Sequence, residues 1–270
     1  MKIKNLTIFS IAVAVLCIAA RTVTLLYTVE TSTGFFIARL TTLGISLSIG
    51  IFLLTLVVVI FAFTAKEKAN CPFQLSKISG IASFLLGFAT LLYSFGFNSH
   101  SYLIQWQHTL EAFSGVLAGV WFILYGISAF TDIKLPKIAA IIPCIHYIMR
   151  LIVVFTTLST SALVTEHVFS LAYHASVMVF MLYFGRIAAE ETSKNSAKSF
   201  FPVTTAAFIF TCTSVFSRLI MLLLDKPEMI HGETALDITG IILSIFMLLI
   251  AADICKENTE EIKEADTNEL

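Results

Sequence analysis

Charge is what this sequence has least of. Only 13% of its 270 residues are Asp, Glu, Lys or Arg, about half the share found in soluble domains. That leaves too few polar groups to clothe a surface in water. Short alternating runs of polar and apolar residues are also missing, which argues against the strands of a membrane β-barrel. The five cysteines, Cys17, Cys71, Cys144, Cys212 and Cys255, form no Cys-x-x-Cys pair, so neither a disulfide framework nor a metal site is expected. No HExxH spacing, phosphate-binding Walker loop, GxSxG elbow or Gly-rich dinucleotide fingerprint occurs, so no cofactor is expected. An enzyme that used the His, Glu and Asp residues therefore ranks last among the readings. The net charge of −1 gives no global attraction for nucleic acid.

What is abundant is apolar residue, 57% of the chain, and it comes in long blocks. In lipid a helix satisfies its own backbone hydrogen bonds, and about 20 mostly apolar residues cross the hydrocarbon core. Eight blocks meet that length, at residues 7–28, 41–64, 78–97, 108–130, 138–158, 165–188, 201–224 and 235–254. The expected fold class is an all-α integral membrane bundle of eight transmembrane helices. Lys2 and Lys4 before the first block imitate a signal peptide. The apolar run resumes after Arg21, however, and no small-x-small site ends it, so an uncleaved anchor is expected. The acidic tail, 256–270, has little to bury and reads as disordered.

Lysine and arginine gather on one side of this layout. With the N-terminus in the cytoplasm, only Arg39 and Lys226 among the loop cations face outward. Both termini are therefore expected to be cytoplasmic. Tyr102 and Trp106 suit an aromatic belt at the outer interface. Two parallel four-helix units, 1–133 and 134–255, are suggested by two echoes. Arg21 and Arg150 hold similar places in the first and fifth helices. Glu111 before Ser114-Gly115 and Gly119 parallels Asp237 before Thr239-Gly240 and Ser244. Gly115-x-x-x-Gly119, Gly240-x-x-x-Ser244 and Gly44-x-x-x-Ser48 read as helix packing within one chain.

Charge inside a bilayer costs roughly 2.5–3.5 kcal/mol per residue near the centre of a helix, so each buried charge needs a reason. Arg21, Arg150 and Arg218 fall inside apolar blocks, and Glu111 and Asp237 sit near outer helix ends. On the fifth helix Pro143, Tyr147 and Arg150 share a face with His146 beside them, and Pro143 is expected to kink it. On the sixth, Glu166, Ser170, Tyr173 and Ser176 share a side, with His167 and His174 next to it. One reading makes Glu111 and Asp237 the counter-ions of the three arginines, in a structural layer of a non-enzymatic sensory or accessory subunit. The other, which leads, makes Arg21, Arg150 and Arg218 the contacts of a small anionic or zwitterionic solute in a transporter or binder. Glu111 and Asp237 would then be counter-ions, and His146, Tyr147 and His174 would orient ligand or pass protons. A guanidinium donates two parallel hydrogen bonds to carboxylate or phosphate, which suits that role. Besides that solute, the lipid bilayer is the expected partner.

The stretches IPCIHYIMRLIVVF, FMLYFGRIAAE and SVFSRLIMLLL resemble multi-helix membrane proteins of Firmicutes such as clostridia, for which no activity is assigned. The residues that carry the resemblance are Pro143, Arg150, Tyr183, Phe184, Arg186 and Arg218. It implies the helix layout and a bacterial cytoplasmic membrane, and supplies no substrate.

Overall fold

The computed structural model describes residues 3–30, 33–64, 75–97, 105–131, 135–158, 165–189, 194–230 and 237–268. His100, His231, Tyr102 and Cys71 lie outside the described residues. The described chain is all-α, with helices α1 (Ile3–Thr28), α2 (Thr41–Phe63), α3 (Lys77–Leu92), α4 (Gln105–Ser128), α5 (Ile142–Leu158), α6 (Thr165–Ala188), α7 (Lys194–Leu223) and α8 (Ile238–Asn268). Seven of the described helices are long and apolar enough to cross a membrane, and an eighth apolar stretch, Ile238–Ile254, is shorter. The expectation of eight full-length spans is corrected at that point. Asp237 caps α8 by accepting the Gly240 N–H at 2.8 Å, so the helix begins at Ile238.

Three other expectations change. The polar tail continues α8 as far as Asn268, although its composition reads as disordered. Residues 256–268 contain no glycine or proline, and extending an existing helix costs far less than starting one. Pro143 is the second residue of α5, directly after a 3-10 turn over Lys137–Ile141. Near a helix start its missing N–H removes no bond the helix needs, so it marks the change of helix type and kinks no mid-membrane turn. The seventh helix begins at Lys194, ahead of its expected start, and so takes Pro202 inside it.

Six helices close a ring in which α3 packs on α4, α4 on α5, α5 on α6, α6 on α7, α7 on α8, and α8 back on α3. The α3/α8 seam is fastened by Asp253, whose Oδ2 accepts the Ser76 N–H at 3.1 Å and the Ser79 hydroxyl at 2.5 Å. Helices α1 and α2 pack on each other and on α7, outside the ring. Helix α7 is thus shared by both parts, and 61% of its apolar window is buried against 22% for α2. The tightest crossing is α3 on α4. A Cβ at Gly87 would stand 2.5 Å from the Gly119 carbonyl oxygen, so only glycine lets these backbones approach so closely. Gly115 packs against Ser94 and His146, and Gly240 against Val215. These small residues therefore serve packing within the chain.

The distribution of side chains is inverted relative to a protein in water. Arg21, Arg150, Arg218, Glu111, Glu166, Asp237, His146 and His174 are all buried, while Ile8, Leu53, Phe113, Phe155 and many other large apolar residues lie on the outer surface. A soluble monomer rarely exposes a contiguous apolar patch above a few hundred Å². Lipid is the solvent that makes this arrangement stable, and the chain is a multi-pass membrane protein with charged groups in its interior.

Candidate functional site

The buried charges separate into two groups. The first joins α1, α6 and α7. Glu166, at the start of α6, receives Arg21 Nη2 on one carboxylate oxygen at 2.5 Å and Arg218 Nε on the other at 2.6 Å. The Arg21 guanidinium also lies over the Phe169 ring, 4.2 Å from its centroid, an attraction between the cation and the ring's negative face. The two arginines are only 1% exposed, so this carboxylate is desolvated and held by short charge-assisted bonds. The expected pairing of Arg21 and Arg218 with Glu111 and Asp237 is corrected accordingly. In the sequence Glu166 shows only as part of the polar stripe of the sixth helix.

The second group lies among the ring helices α3, α4, α5, α6 and α8. Arg150 of α5 stacks over Tyr93, 4.3 Å from the ring centroid, and its Nε stands 3.9 Å from Glu111 Oε1. That separation counts as an ion pair and exceeds a hydrogen bond. The Tyr93 hydroxyl donates to the same carboxylate oxygen at 3.4 Å. Tyr93 opens a π-helical turn, Tyr93–Phe97, at the end of α3; such turns concentrate at functional sites. Sequence patterning gave no sign of it, because a π turn preserves the apolar run.

Hydrogen-bond roles around the histidines follow from counting protons. The Ser114 hydroxyl has one proton and donates it to the Glu111 carbonyl at 2.9 Å. Its contact with His146 Nδ1 at 3.2 Å therefore requires Nδ1 to donate. A neutral His146 then carries Nε2 as an acceptor, and that atom is buried with no hydrogen-bond partner among the described residues. His174 Nδ1 lies 2.8 Å from the Ser170 carbonyl, which likewise makes Nδ1 the donor and Nε2 the acceptor in a neutral ring. The Tyr147 hydroxyl is also buried without a hydrogen-bond partner among the described residues. Asp237 Oδ2 accepts the Tyr173 hydroxyl at 3.1 Å. No described cation lies within ion-pair distance of Asp237. Tyr147 is near enough to both Arg150 and Asp237 to feel their charges, and His146 to feel those of Arg150 and His174.

Of the eight residues expected to form a site, six thus share the ring interior: Arg150, His146, Tyr147, His174, Glu111 and Asp237. Arg21 and Arg218 belong to the Glu166 group. The expected surplus of guanidinium also disappears, because with Glu166 three arginines face three carboxylates. Inside the ring the formal balance is one arginine against two acids. No set of three or more His, Cys, Asp or Glu that could hold a metal occurs among the described residues. No family model, curated protein or solved structure matches the chain, so the resemblance to clostridial multi-helix proteins gains no family from comparison. The geometry is the basis for reading this site.

Proposed function

We propose that the protein binds, and as a transporter would carry, a small zwitterionic solute inside the α3–α8 ring. Its anionic group would meet Arg150 and the Tyr147 hydroxyl. Its ammonium would meet His146 Nε2 and Asp237. The observation that carries this reading is the pair of buried polar atoms, His146 Nε2 and Tyr147 Oη, that have no hydrogen-bond partner among the described residues, in the same interior as the Arg150 guanidinium. A buried polar atom without a partner costs about 1–3 kcal/mol, and a bound polar solute removes that cost. One acceptor and one donor left over near opposite charges fit a molecule that carries both signs. Of the anionic and zwitterionic solutes expected from the sequence, the zwitterion is favoured, because the ring interior has a formal surplus of carboxylate.

The test uses the full chain in nanodiscs. Its thermal stability is measured with glycine, alanine and glutamate as zwitterions, and with acetate and inorganic phosphate as plain anions. At least one amino acid is expected to raise the midpoint, since a ligand at a hundred times its Kd adds about 2.7 kcal/mol. Arg150→Gln and Asp237→Asn are each expected to abolish that rise, and Asn still caps a helix. If no member of the panel moves the midpoint, or if Arg150→Gln keeps the response, the proposal fails. A response to phosphate alone would return the reading to a plain anion.

The short bonds of the Arg21–Glu166–Arg218 group favour a second reading, a sensory or accessory subunit whose ion pairs only hold helices together. Under it, no solute of any charge stabilises the wild type.

A further inference from the structure

Helix α7 carries two hydroxyls that its own backbone does not use. Three others on this helix are used locally: Thr204 donates to the Phe200 carbonyl at 2.8 Å, Thr213 to Ile209 at 2.7 Å and Ser217 to Thr213 at 2.7 Å. That is a common arrangement for a hydroxyl inside a helix, where the carbonyl four residues back is within reach. Thr211 and Ser214 break the pattern. They are 0% and 1% exposed, and neither hydroxyl has a hydrogen-bond partner among the described residues.

Their direction and depth follow from the neighbours of α7. Val215 packs on Gly240 of α8, and Arg218 reaches Glu166 of α6. At 3.6 residues per turn, Thr211 falls about 40° to one side of Val215 and about 20° to the other side of Arg218. It therefore points between α8 and α6, into the ring. Ser214 lies about 40° beyond Arg218, on the side toward α6. Two contacts fix the depth. Arg218 meets Glu166, and the Phe200 and Phe180 rings lie 6.1 Å apart, so α6 and α7 run antiparallel. That register sets Thr211 within one turn of Tyr173, whose hydroxyl binds Asp237.

The chemistry of these two residues selects what can lie against them. An apolar group would leave both hydroxyls buried and unpaired, which is costly. An acidic group would enter an interior that already has more carboxylate than guanidinium. A basic one would lie within two turns of Arg218 on the same helix face. We infer that the solute of the ring is a neutral polar amino acid, with a hydroxyl or an amide on its side chain, and that Thr211 and Ser214 recognise that group. This rests on the zwitterionic reading of the ring and adds the side chain to it.

Titration calorimetry of the full chain in nanodiscs tests it with two pairs of amino acids of nearly equal shape, threonine against valine and asparagine against leucine. The polar member of each pair is expected to bind about tenfold more tightly, the worth of a hydrogen bond made in place of two stranded hydroxyls. Thr211→Val with Ser214→Ala is expected to bring each pair within about twofold while valine still binds. Thr211→Ser keeps a hydroxyl and is expected to keep the preference. If valine and leucine bind the wild type as tightly as threonine and asparagine, the ring still takes a zwitterion and the inference about its side chain is overturned. A preference that survives the double substitution overturns it as well. So does loss of valine binding together with threonine binding in Thr211→Val, because the hydroxyl would then serve the fold and not the solute. If none of the four binds the wild type, the reading of the ring fails and takes this inference with it.

Discussion

The Arg21–Glu166–Arg218 group and the interior of the α3–α8 ring contain the same kinds of residue at similar burial, and they differ in how closely their charges pair. In the first, one carboxylate engages two guanidinium groups at 2.5 and 2.6 Å and both of its oxygens are occupied, although Arg21 Nη1 has no hydrogen-bond partner among the described residues. In the second, the Arg150–Glu111 contact is 3.9 Å, Asp237 has a tyrosine in place of a cation, and His146 Nε2 and Tyr147 Oη have no partner among the described residues. Short reciprocal bonds lock helices. Buried polar atoms without a partner in the fold are the ones a bound solute would satisfy. Helix α6 supplies Glu166 to one group and Tyr173 and His174 to the other, so about two helical turns separate a lock from a candidate binding site.

The largest expected effect tests the lock. Glu166→Gln leaves two buried guanidinium groups without their carboxylate, and breaking a buried pair in this way costs about 3–5 kcal/mol. Glu111→Gln is expected to cost about 1–2 kcal/mol, because Arg150 keeps its stacking on Tyr93. Thermal unfolding in nanodiscs compares the two variants directly. Equal losses would erase the distinction drawn here.

Next comes Arg21→Met. The group holds two cations on one anion, so removing one leaves a neutral Glu166–Arg218 pair. The expected loss is about 1–3 kcal/mol, smaller than that of Glu166→Gln. Combining Arg21→Met with Glu166→Gln is expected to cost less than the sum of the two, since the second change no longer strands two like charges. Strict additivity would show that the three residues do not act as one unit.

Much of this arrangement is legible in the sequence, for a physical reason. Apolar runs long enough to cross lipid announce themselves, and Arg21, Arg150 and Arg218 stand out because charge inside such runs is rare. Partner choice is what stays hidden. Glu166 is visible on the polar side of its helix, but only the packing of α1 and α6 against α7 shows that two arginines reach it. Tyr93 lies in an ordinary apolar stretch, and its role arises from a π turn that leaves no mark on periodicity. Asp237 carries a familiar signal, an acid three residues before Gly240, yet its use as a helix cap shortens the eighth span and removes it from the set of arginine counter-ions.

A smaller effect is expected at the ring's closing seam. Asp253→Ala removes the acceptor of the Ser76 N–H and the Ser79 hydroxyl, at a cost of about 1–2 kcal/mol. It touches neither charged group, so any solute response of the wild type is expected to persist. Loss of that response at unchanged folding would mean that the seam itself shapes the ring interior.

The smallest expected change is also the sharpest. Tyr147 and Tyr173 are both buried, at 1% and 0% exposure, and they differ in what their hydroxyls meet. Tyr173 donates to Asp237 at 3.1 Å, whereas the Tyr147 hydroxyl has no partner among the described residues. Tyr173→Phe leaves a buried carboxylate short of one donor and is expected to cost about 1.5–3 kcal/mol, the range for bonds to charged groups. Tyr147→Phe deletes an unsatisfied polar atom and is expected to leave unfolding within about 0.5 kcal/mol of wild type, or to stabilise it. The same substitution removes a donor meant for the solute, so the rise in midpoint with an amino acid should shrink. A stability loss at Tyr147 equal to that at Tyr173 would mean that its hydroxyl is satisfied within the fold. The ring interior would then be as closed as the Glu166 group.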